Sequence, residues 1–136
     1  MRIVARAAIV TASVIGLIGT AIAAELNGAE IKALLSGKTV YLETTAASAS
    51  GQAGQAVIYW AEDGTALFKT AKGEILHGTW EVKGNTNCAV WKERPNTGCT
   101  RYDKAGDVVN VIDIASGQTR AKILKTAPGN AEKLAP

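Results

Sequence analysis

At 136 residues the chain has room for one domain and little room for two. Its 15 Lys and Arg outnumber its 12 Asp and Glu, but two of the cations, Arg2 and Arg6, belong to a terminal segment that reads as a removable leader. Without that pair the excess falls to +1, which gives no support for a nucleic-acid partner.

The leader comes first. Arg2 and Arg6 are followed by an uncharged, mostly apolar run over 7–18, and Ala21-Ile22-Ala23 places small residues at the two positions a signal peptidase reads. The run is short and Ala-rich for a membrane span, and no stop-transfer pattern follows. The sequence therefore predicts a secretory signal peptide over 1–23, no membrane span after its removal, and a single β domain over 24–136 in the periplasm or the external medium.

A short helix opens the domain. Asn27 is placed to cap it and Glu30 stands three residues on, the pattern of a capping box. Leu26 before the cap and Ile31 at the fourth helical position form a hydrophobic staple. Ile31, Leu34 and Leu35 share one face, and Gly37 is the terminator. So short a helix is unstable alone and must dock its apolar stripe on a sheet face or a barrel end.

Beyond Gly37 the apolar spacing changes from helical to alternating. Strands are predicted over 38–45, 56–61, 66–70, 75–82, 86–93, 99–103, 108–115 and 118–126. Turn residues separate them: Asp63-Gly64, Lys72-Gly73, Lys83-Gly84-Asn85, Lys104-Ala105-Gly106-Asp107 and Ser116-Gly117. The small, polar stretch 46–54 reads as a mobile loop, and the chain after Pro128-Gly129-Asn130 as a frayed tail. About eight short strands, with no helix long enough for a parallel crossover, predict a mainly β fold. It should be an antiparallel up-and-down barrel or sandwich with a short N-terminal helix.

The two cysteines, Cys88 and Cys99, lie on neighbouring predicted strands. In an exported protein an even cysteine count reads as a disulfide, and only one intramolecular pairing exists. Its small loop implies ~2–3 kcal/mol of stabilisation through the unfolded state. A metal site is not expected, since there is no C-x-x-C and His77 is the only histidine. No cofactor is expected either, because no Gly-rich loop leads into a helix.

Catalytic signals are weak. His77 falls mid-strand, opposite in parity to Leu76 and Trp80, and reads as a surface residue. No serine sits in a G-x-S-x-G elbow. Glu62, Asp63, Asp103 and Asp107 lie in or near turns, where carboxylates are common for conformational reasons, and Asp113 lies in a late strand. Arg120, Lys122 and Lys125 form a local basic excess that reads as a solvated strand face. The aromatic residues are the most suggestive set. Trp80 and Trp91 read as core, whereas Tyr59 and Trp60 are adjacent in a strand and point to opposite faces, so one of the two is available for a ligand or partner.

The succession Asp63-Gly64-Thr65, Gly78-x-Trp80-x-Val82, Cys88-x-x-Trp91, Cys99, Gly106-Asp107, Gly129-Asn130 and Leu134 resembles a group of small exported bacterial domains of unknown function, found mainly among alphaproteobacteria. The resemblance covers most of the chain from Lys38 onward. The chain departs from the pattern at Leu42-Glu43-Thr44, where glycines are usual, and at Ala131, where proline is common. The resemblance implies an exported β domain with a disulfide and transfers no activity.

Taken as a whole, the sequence predicts a non-catalytic periplasmic β domain that binds a small ligand or an envelope protein. Two alternatives are an inhibitor of a cell-wall hydrolase and a hydrolase or isomerase with an unrecognised site.

Overall fold

A computed structural model describes residues 23–94 and 98–136. The expected signal peptide thus lies, but for Ala23, outside the described residues. The elements are β1 (Ala24–Glu25), α1 (Gly28–Leu35), β2 (Lys38–Thr44), β3 (Gly54–Trp60), β4 (Thr65–Lys69), β5 (Ile75–Lys83), β6 (Thr86–Trp91), β7 (Cys99–Ala105), β8 (Val108–Asp113) and β9 (Thr119–Pro128).

Strands β2 to β9 close into an eight-stranded antiparallel barrel, with β9 returning to pair with β2. Closure satisfies the edge groups that an open sheet of this size would expose. Alternation along each strand fills the inside. Ala56, Ile58 and Trp60 point inward from β3, Ala66 and Phe68 from β4, and Ala121 and Ile123 from β9. Gly78 faces inward on β5 because a side chain there would collide with the Trp91 ring.

The helix behaves as its sequence requires. Asn27 Oδ1 accepts from the Glu30 N–H at 2.9 Å and Glu30 Oε1 accepts from the Asn27 N–H at 3.1 Å, so the capping box is complete. The helix ends at Ser36, which turns extended at φ −63° and ψ 124°; Gly37, expected as the terminator, follows at a φ of 70° and donates its N–H to the Trp60 carbonyl at 2.7 Å, so it turns the chain into β2. Ile31 and Leu35 are fully buried, and α1 packs against β2, β5 and β6 to close one end of the barrel.

Strand β1 has no counterpart in the sequence reading. It pairs with β7 through Ala24 with Lys104 and Glu25 with Asp103, beyond the point where β6 has turned away. Leu26 continues the line by donating its N–H to the Tyr102 carbonyl at 2.8 Å. Two exposed residues carry no hydrophobic pattern, so only the available strand edge defines this element.

Two loop expectations are corrected. The tail after Pro128 is docked rather than frayed. Thr39 Oγ1 donates to the Gly129 carbonyl at 2.6 Å and accepts from the Ala131 N–H at 2.9 Å, and Leu134 is buried. The segment 46–54 is also tied down. Thr44 Oγ1 donates to the Gln52 carbonyl at 2.7 Å, the Ser48 and Ser50 hydroxyls lie 2.9 Å apart, and Ser50 is buried. In both places polar bonds replace the missing hydrophobic pattern, to Thr39 on β2 for the tail and to Thr44 and within the segment itself for 46–54.

Candidate functional site

The barrel interior is not completely filled. A cavity of about 60 Å³ lies between the α1 plug, represented by Leu35, and the 46–54 segment, represented by Ser48 and Ala49. Much of its wall is apolar, including Leu42, Ile58, Phe68, Trp91 and Val111. Its polar side is built by Asn87 from β6, Thr100 and Tyr102 from β7, and Arg120 from β9.

These polar groups form a chain. Asn87, 2% exposed, donates its amide N–H to the Tyr102 hydroxyl at 3.1 Å. Burial pushes the Tyr102 phenol above its ordinary pKa, and hydrogen bonds from Asn87 and Thr100 and the nearby Arg120 charge offset part of that shift. Arg120 donates from a terminal nitrogen to Asp113 Oδ1 at 2.8 Å, with both side chains largely buried. Asp113 is held below the ordinary carboxylate range, first by the Ser116 hydroxyl and then by the Ser116 N–H and Arg120. Three buried side-chain atoms have no hydrogen-bond partner among the described residues, and two of them, Asn87 Oδ1 and Arg120 Nε, belong to residues lining the cavity; the third, Gln52 Oε1, does not. Buried groups of this kind are normally paired, by protein, water or ligand.

Arg120 enters the cavity by a backbone irregularity. On β8, Val111 pairs with Ala121 and Ile112 with Thr119, so Arg120 is bulged out of the ladder. The expectation of a solvated basic face is therefore corrected for Arg120. Lys122 and Lys125 remain exposed, with the Lys125 ammonium 4.6 Å from the Tyr41 ring centroid.

Of the adjacent pair Tyr59 and Trp60, Trp60 lines the lumen, while Tyr59 alternates to the outer face. The Trp60 ring meets Trp80 at 5.5 Å and Trp91 at 5.9 Å between centroids. Trp91 is buried as expected; Trp80 is half-buried, and its indole N–H donates to the Ala61 carbonyl at 2.9 Å. Cys88 and Cys99 stand directly opposite on β6 and β7 and are joined by a disulfide. His77 lies on the outer side of β5, where Nδ1 is 2.7 Å from Glu93 Oε1, and it does not reach the lumen. That hydrogen bond holds the Glu93 carboxyl below its ordinary pKa.

Asn87 and Thr100 draw no notice in the sequence, and Arg120 reads there as part of a solvated face. A signal for Asn87 exists, because it shares strand parity with Trp91 and so must face the core. No such signal exists for Arg120, whose parity with Lys122 is broken by the bulge.

Among the described residues no group of three or more His, Cys, Asp and Glu could hold a metal ion, and no helix is long and apolar enough to cross a membrane. The fold and lumen define a small, disulfide-bonded, eight-stranded β barrel with a helical plug. Comparison with protein-family models, characterised proteins and solved structures finds no match.

Proposed function

We propose that the chain is a non-catalytic, exported binding barrel whose lumen takes a small ligand. The observation that carries this reading is the pair of unsatisfied buried atoms, Asn87 Oδ1 and Arg120 Nε, on the wall of one cavity. Left unpaired, each such group would cost about 1–3 kcal/mol, so in the folded protein each is met by water or by a ligand. A ligand that bonds them recovers that cost. Binding is favoured over acid–base catalysis because His77 is engaged with Glu93 outside the barrel. Export is supported by the leader pattern over 1–23 and by a disulfide that suits an oxidising compartment. Membership of the small exported domains that the motif succession resembles is part of the same proposal.

The test is to follow the Trp60 and Trp91 resonances of the oxidised protein under xenon pressure. A saturable shift of both is the expected result. No shift of either would remove the lumen as a site.

A further inference from the structure

We propose that the lumen is selective for a small uncharged molecule of the amide type, carrying one hydrogen-bond donor and one acceptor beside a small apolar group. The proposal rests on the reading of the lumen as a binding site, and three observations narrow its ligand.

The first is charge. Among the described residues Arg120 is the only cation lining the lumen, and Asp113 already neutralises it at 2.8 Å, the two side chains being 15% and 13% exposed. An anionic or cationic ligand would bring a net charge into this largely apolar space without a counter-ion, which is strongly unfavourable. A neutral ligand leaves the pair intact.

The second is hydrogen-bond complementarity. Arg120 Nε offers an N–H that needs an acceptor, and Asn87 Oδ1 offers an acceptor that needs a donor. If the Asn87 amide is turned end for end, its oxygen takes the Tyr102 hydroxyl proton and its NH₂ becomes the unpaired group. A ligand with both a carbonyl and an N–H satisfies both groups in the observed orientation; in the turned one both groups donate and its carbonyl accepts from them. A ketone, with an acceptor alone, satisfies one group in the observed orientation.

The third is size. A cavity of about 60 Å³ has room for about four waters, and each water needs two to four polar partners. Water in that space can bond Asn87 Oδ1, Arg120 Nε and the lining hydroxyls of Thr44, Ser48, Thr100 and Tyr102, so a ligand that displaces it must meet the two unpaired atoms directly. The space is also well below the ~150 Å³ that admits benzene, so the ligand has about four heavy atoms. An amide with one methyl group meets all three conditions: its methyl lies on the apolar wall and its polar end reaches Asn87 and Arg120.

Acetamide, acetate and acetone share this size and shape and differ only in charge and donors. Each is titrated into the oxidised protein while the side-chain amide of Asn87, the Nε–H of Arg120 and the Trp91 indole are followed by NMR, with xenon as an apolar reference. Acetamide should give saturable millimolar binding at least fivefold tighter than either analogue. Asn87→Leu should abolish the preference of acetamide over acetone while xenon still enters. Asn87→Ala, which also removes the acceptor, serves the same purpose if the leucine variant does not fold. Acetate binding as tightly as acetamide would overturn the proposal and leave an anion site. Xenon entry with no saturable acetamide binding would also overturn it while leaving the lumen as a site. Exclusion of xenon and of all three probes would overturn the lumen reading itself.

Discussion

Replacing Gly78 by alanine tests the packing that shapes the lumen. A Cβ built at Gly78 lies 2.5 Å from Cε3 of Trp91 and 2.5 Å from the Val90 carbonyl oxygen. Both are about 1 Å inside ordinary contact. The ring cannot simply swing aside, because Trp91 is already packed on Trp60 at 5.9 Å and on Phe68 at 5.4 Å between centroids. The carbonyl cannot move without disturbing the ladder in which Gly78 pairs with Trp91 and Thr79 with Val90. Overpacking of this kind costs about 3 kcal/mol. Loss of glycine's freedom in the unfolded chain returns about 0.7 kcal/mol. The net effect is therefore about 2 kcal/mol of destabilisation, or about 8 °C in melting temperature for a domain of this length. Urea unfolding with the disulfide intact measures it. Gly98→Ala, where a Cβ meets nothing within 4 Å among the described residues, is the control and should be within ~0.5 kcal/mol of the parent. A Gly78→Ala protein as stable as the parent would show that the Trp91 ring does not cover Gly78, and the lumen wall would have to be redrawn.

Removal of the cross-link by Cys88→Ala should cost about 3 kcal/mol, given a sequence separation of 11 between the bridged cysteines, and thiol counting on the unfolded native protein should find none free. Trp60→Ala and Trp91→Ala should each cost ~3–5 kcal/mol by chemical denaturation, and Trp80→Ala less, because Trp80 is only half-buried. The folded-state pKa of Asp113 is depressed, so its contribution to stability is complete above the unfolded pKa and is lost as pH falls through the folded value. The parent should accordingly lose stability on acidification below about pH 4, and Asp113→Asn should show a shallower acid limb in thermal melts across that range. N-terminal sequencing of protein recovered from the cell envelope should begin at Ala24 or Glu25, which would set the new terminus at the start of β1; an intact Met1 in a membrane fraction would refute cleavage.

Much of the barrel is legible in the sequence because its determinants are local. Alternating apolar residues, as in 56–60 and 121–123, fix which face of a strand is inward, and Asp63-Gly64 or Gly106 fixes where the chain reverses. Asn27 and Glu30 specify their capping box from three residues apart, and the disulfide follows from there being one possible partner. Closure into a barrel rather than a sandwich is not local: it depends on β9 meeting β2 at opposite ends of the domain. The same holds for β1, which exists because β7 outruns β6 and leaves an edge to be paired, and for the docked tail, which is held by Thr39 some ninety residues away. The site lies at the boundary between the two kinds of information. Asn87 could be placed inside from its parity with Trp91, but whether its amide finds a partner depends on how close the opposite strands come. Arg120 is outward by sequence parity and inward by a one-residue bulge, an irregularity set by the mismatch of two strand registers across the barrel. The sequence alone determined strands β2 to β9, the turns, the N-terminal cap of the helix and the cross-link, since each is an interaction between near neighbours or a unique pair. Only the tertiary structure decided that the interior retains a space and which polar atoms face it, because those depend on how eight strands pack against one another.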